Sequence, residues 1–182
     1  MSTVSGRVLI DIAIREVIAN SSGGYSAKGP IEHAFQQLRD LANGTSDGQI
    51  NKVYSQVVTG IGASVTTVYD LIGTLTDREN VAINFDEVVF TLVFNLSATA
   101  ANYLLVGPDV TNGFGVVASS KGFWADASDR NVLPGDGESF LLLWSKVGVP
   151  AAAGSTDELA VITQGGTSAN TWFIIIGGRD NP

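Results

Sequence analysis

The stretch Thr171-Trp172-Phe173-Ile174-Ile175-Ile176-Gly177-Gly178 decides the fold. Successive side chains of a β-strand point to opposite faces, so a strand on the surface of a sheet alternates apolar with polar residues. Here Trp172, Ile174 and Ile176 fall on one face, while Phe173 and Ile175 fall on the other. A strand with two apolar faces belongs inside a sheet that is covered on both sides. One face fills a core, and the other needs a second layer or a sister subunit. Arg179 and Asp180 are then expected to carry the chain out to solvent or onto a neighbour.

The same texture extends towards the N-terminus. In residues 81–97, Val88, Phe90, Leu92, Phe94 and Leu96 share one register, and Val89, Thr91, Val93 and Asn95 the other. Apolar residues on both registers predict a central strand. Further β-rich stretches (63–73, 101–108, 113–117, 121–127, 139–148 and 157–166) alternate with turn-forming segments, and 21 glycines against 5 prolines suit many tight turns. Short strands at this spacing predict an all-β domain, a β-sandwich or barrel of the jelly-roll or Greek-key kind. Residues 6–20 alternate cleanly, with Val8, Ile10, Ile12 and Ile14 opposite Asp11 and Arg15, which predicts a half-buried strand. Ile31, Ala34, Phe35, Leu38, Leu41 and Ala42 recur at helical spacing, with Pro30 at the start and Gly44 beyond the end, and predict a short amphipathic helix over 31–42. The expected organisation is an N-terminal arm, residues 1–43, and a sandwich domain, residues 44–182.

Of the 182 residues, 45 % are hydrophobic and 15 % charged, below the usual charged share of ~25 %. Less surface than normal is therefore expected to face water, which points to contacts between subunits. A net charge of −8 without a cluster of Lys and Arg argues against a nucleic-acid surface. The absence of cysteine excludes disulfides, thiolate metal sites and a cysteine nucleophile. Asp11 interrupts the only apolar run near the start, so neither a signal peptide nor a membrane span is expected, and assembly in a cytoplasm is.

Little in the sequence suggests catalysis. His33 is the one histidine, no G-x-S-x-G elbow surrounds a serine, and glycine pairs lack the lysine of a phosphate-binding loop. Asp126, Asp129, Asp136 and Glu138 could supply oxygen ligands, but their spacing does not fit the twelve-residue calcium loop. The neighbours Asp86-Glu87 and Asp157-Glu158 point to opposite faces of a strand and read as solvent-facing strand starts. Asn20, Asn43 and Asn95 head N-x-S/T sequons. Trp124, Trp144 and Tyr103 could form a sugar-stacking platform, with packing in the core or between subunits as the alternative. No enzyme and no cofactor is expected.

The segments GTSDGQINKVYSQ, YDLIGTLTDRENVAINFDEV, GDGESFLLLW and DELAVITQGGTSANTWFIIIG occur in this order. Together they resemble a family of small tailed-bacteriophage virion proteins. The matching positions are Gly44, Thr45, Gln49, Lys52 and Val53, then Asp70 to Asp77, then Leu159 to Gly177. The resemblance implies a non-enzymatic virion component, a homo-oligomer and most naturally a trimer, that decorates or cements the head. Its partners would be copies of itself and the major capsid protein or other virion proteins, with no nucleic acid and no membrane. The interface would include Phe173 and Ile175 together with Val8, Ile10 and Ile12. It also implies that 31–42 could instead be a strand that swaps onto a neighbour. The alternatives are a tail- or fibre-associated module that binds a receptor or carbohydrate, and a host-side β-sandwich lectin.

Overall fold

The computed structural model describes residues 6–16, 31–77, 79–116, 122–137, 139–165 and 169–180. Within them the chain is all β. Strands β1 (Gly6–Glu16) and β2 (Ile31–Asn43) form an antiparallel ribbon in which Gly6 pairs with Leu41 and Glu16 with Ile31. The ribbon and the residues from Ala42 onward are two compact units.

The helix expected over 31–42 is a strand, and it pairs with β1 of its own chain rather than with a neighbour as the resemblance implied. Helical spacing is a weak local preference, whereas β1 alternates strictly and needs a partner for its backbone N–H and C=O groups. Pairing with β2 satisfies eleven successive positions and overrides the local periodicity. Val8, Ile10 and Ile12 lie opposite Arg39, Gln37 and Phe35 in this register, and His33 lies opposite Ile14. The side chains of these residues lie outside the described set. Asp40, exposed, accepts a hydrogen bond from Arg7 Nε at 2.9 Å across the ribbon.

After β3 (Gln49–Ile50), which pairs in parallel with the end of β2, come β4 (Lys52–Ile61), β5 (Thr66–Asp70), β6 (Ile72–Thr76) and β7 (Ala82–Asn84). Then follow β8 (Glu87–Asn95), β9 (Tyr103–Pro108), β10 (Asn131–Leu133), β11 (Phe140–Pro150), β12 (Glu158–Gln164) and β13 (Asn170–Arg179). Two four-stranded sheets, in the orders β11-β8-β13-β4 and β10-β9-β12-β5, build the sandwich, and β6-β7 is a separate hairpin. Set that hairpin aside, and the eight sandwich strands nest in antiparallel pairs, first with last. β4 pairs with β13, β5 with β12, β8 with β11 and β9 with β10.

The core is one cluster between the sheets. Trp172, Ile174 and Ile176 of β13 are fully buried there with Val93, Leu104 and Val161. Two buried polar side chains tie it together. The Trp172 indole N–H donates to Tyr69 Oη at 2.9 Å. The amide of buried Asn95 reaches the carbonyls of Asn102, Leu133 and Pro134 at 2.9–3.0 Å, and its Oδ1 accepts from Ser97 N. Asn95 thereby ties the end of β8 to the segments that flank β9 and β10 in the other sheet, and its sequon is closed to modification in the folded chain.

Three sequence expectations about charge are corrected. Arg179 does not leave the fold: it is 1 % exposed and pairs with Glu87 at 2.6 Å, while its guanidinium also donates to the carbonyls of Ser46 and Val147. Glu87, part-exposed, is held in that ion pair rather than standing free at a strand start. Asp157 is buried rather than solvent-facing, and its Oδ2 accepts from Gly154 N at 2.8 Å in the turn before β12. In each case a carboxylate or guanidinium is held where backbone groups left by an irregular segment need a partner.

Candidate functional site

The outward face of β13 leads to the most unusual surface of the sandwich. Registers across the β11-β8-β13-β4 sheet place residues in rows that share this face. The middle row is Leu142, Leu92, Ile175 and Ser55. To one side lies Phe140, Phe94, Phe173 and Val57, and to the other Trp144, Phe90, Gly177 and Val53. No position among the twelve is charged. None belongs to the core cluster between the sheets, so the face is a second apolar layer with its own packing.

That packing is aromatic along one half. Phe94 and Phe140 sit with ring centroids 5.3 Å apart, and Phe90 stacks on Trp144 at 6.3 Å. The Phe90 ring lies over Gly177, at a place where any Cβ would collide with it. Exposure is greatest on the two edge strands, at 59 % for Phe140 and 57 % for Val57. On the middle strands Leu92, Phe94, Phe173 and Ile175 are half-buried, and Phe90 and Gly177 are buried. From strand spacings of ~4.8 Å and ~6.8 Å between alternate residues, the face covers roughly 400 Å2. An apolar patch of that size, free of charge, is the kind that functions as a contact surface.

Other features carry less. A groove of about 620 Å3 runs beside β4, lined by Val53, Tyr54, Ser55, Gln56, Thr76, Asp77 and Glu79. Its Asp77 carboxylate is occupied in a turn, accepting from Glu79 N and Val81 N. Asp70, Glu158 and Asp109 stand near one another around the start of β12, and burial followed by repulsion from Asp109, Asp157 and Asp70 raises the Glu158 pKa above its ordinary value. Among the described residues no group of three or more His, Cys, Asp or Glu is placed to hold a metal ion. Asp126 and Asp129 instead cap the turn at 125–129, accepting from Ser128 N, Ala125 N and Asp126 N, and Asp136 accepts from Ser139 N; Glu138 lies outside the described residues.

The aromatic residues singled out in the sequence are dispersed. Trp124 is buried in the core, edge-on to Phe123 at 5.8 Å, Trp144 lies on the outer face of β11, and Tyr103 lies on β9 in the other sheet. They do not converge on one platform. Phe173 and Ile175 lie side by side in adjacent rows of the outer face. The face residues that the sequence reading assigned to no site are Phe90, Leu92, Phe94, Phe140, Leu142, Val53, Ser55, Val57 and Gly177. A signal for most of them exists: residues 88–96 and 140–144 are apolar on both registers, as 172–176 are.

No family model, curated protein or solved structure matches the chain. Function is therefore argued from the surface itself.

Proposed function

We propose that this chain is a homo-oligomeric structural component of a tailed-bacteriophage virion, acting as a decoration or cement protein on the head. The observation that carries the reading is the uncharged outer face of the β11-β8-β13-β4 sheet. A face of that kind contributes by burying apolar area against protein, at ~25 cal/mol per Å2 before the costs of association. One such contact is weak, but repetition over a shell makes the total large. The order of the virion-like motifs supports the same reading. So does the nested pairing of eight strands, which is the arrangement of double-sheet jelly rolls, an architecture used by viral capsid domains and lectins.

Quantitative mass spectrometry of purified particles tests this. The expected result is a copy number that scales with the number of capsomers and survives removal of the tails. A few copies per particle, lost with the tails, would transfer the protein to the second reading, a tail- or fibre-associated glycan-binding module. That reading has one observation of its own, the part-exposed Trp144 ring on the outer face. Saturable binding on a glycan array, lost in Trp144→Ala with the fold intact, would support it.

A further inference from the structure

We propose that the outer face of the β11-β8-β13-β4 sheet is a contact between two copies of this chain, packed sheet on sheet about a two-fold axis running along the strands. The proposal rests on the homo-oligomer part of the function above and specifies its geometry. Three properties of the face select this occupant.

The first is charge. Every copy carries a net charge of −8, yet none of the twelve outward positions is charged. Two identical faces can therefore meet without burying like charges, whereas a partner recognised through charge would find nothing here to pair with.

The second is a gradient of side-chain size across the sheet. The β11-β8 half holds Phe140, Trp144, Phe90 and Phe94 among its six residues, and the β13-β4 half holds Phe173 as its one aromatic residue, with Ser55 small and exposed and Gly177 beneath the Phe90 ring of its own chain. A two-fold axis along the strands lays the bulky half of each copy on the slender half of the other. Trp144 then faces Val53 and Leu142 faces Ser55. An axis across the strands would stack aromatics on aromatics at one end and leave a void at the other. Close packing selects the former, and an isologous pair satisfies it twice.

The third is area. Two faces of roughly 400 Å2 bury about 800 Å2 in all, below the ~1,000 Å2 of stable complexes and within the range of weak ones. The isolated protein is therefore expected to associate reversibly with concentration, and to be held fully paired where many copies are arrayed.

The chain has no cysteine, which makes the geometry directly testable. Ser55→Cys and Leu142→Cys chains, mixed and treated with a short bismaleimide, should give a covalent dimer. Facing residues of packed sheets are ~10 Å apart, while each single variant alone places its two cysteines on opposite edges and should give little product. In sedimentation equilibrium the wild type should pass from monomer to dimer. Phe140→Lys, on an exposed edge-strand position, should weaken that association at least ~10-fold with an unchanged circular-dichroism spectrum. A wild type monomeric at every concentration, an equally associated Phe140→Lys, or cross-linking of either variant with itself in preference to the mixture would overturn the proposal. These measurements use purified protein. A protein absent from heads but dimeric in this way sinks the head-decoration reading alone, and a head protein that fails to cross-link in the mixture sinks this contact alone.

Discussion

Arg179 carries its charge almost wholly out of water, held by the Glu87 carboxylate and by the carbonyls of Ser46 and Val147. The last of these is presented by the irregular part of β11 between Trp144 and Val149, where Gly148 adopts φ +84° and lies too close to the Arg179 guanidinium for a side chain of its own. Removing one member of such a pair strands the other. Glu87→Gln is expected to cost about 3 kcal/mol, read as a lowered urea midpoint with unchanged slope. Tyr69→Phe deprives the buried Trp172 indole N–H of its acceptor and should cost about 2 kcal/mol in the same assay. Glu158 gives a prediction of the opposite kind. Because its folded pKa is raised above the ordinary 4.5, the folded chain holds more protons than the unfolded one just above that pH, so this group makes stability fall as pH rises through that window. Glu158→Gln should remove that part of the slope in a series of urea midpoints starting near pH 4.5.

At the scale of elements, β13 separates two roles that its sequence interleaves. Ile174 faces the core and is fully buried, whereas Ile175 faces the outer layer and is half-buried. Ile174→Ala should cost about 2–5 kcal/mol in thermal or urea unfolding. Ile175→Ser should cost only about 1 kcal/mol of monomer stability and act chiefly on self-association, measured by sedimentation. The two-sidedness of this strand was legible in the sequence because period-two patterning is local, and the all-β class followed from it. Long-range pairing was not legible. The 31–42 segment carries helical spacing that is overridden by β1, a partner that alternation alone does not announce. Arg179 and Asp157 look like surface charges until the irregular segments that present carbonyls and N–H groups to them are known. The candidate face shows the same division. Phe173 and Ile175 could be named from their own strand, but uniting them with Phe140 or Val57 required the strand order β11-β8-β13-β4, which joins segments far apart in the chain.

For the whole molecule, the β1-β2 ribbon and the residues from Ala42 onward are two separate compact units. A chain beginning at Ala42 is therefore expected to keep cooperative unfolding and the far-ultraviolet signature of the sandwich, checked by circular dichroism. The nested strand pairing bears on the order of events during synthesis. β4 emerges early, yet in its sheet it bonds to β13 alone, and β8 has β13 on one side and β11 on the other. Until β13 has left the ribosome, that sheet lacks its second strand from the β4 edge, and Val93 and Leu92 on the two faces of β8 have no β13 neighbour. A nascent chain in that condition exposes unpaired strand edges and apolar surface, and pairings this distant in sequence are expected to make its folding slow.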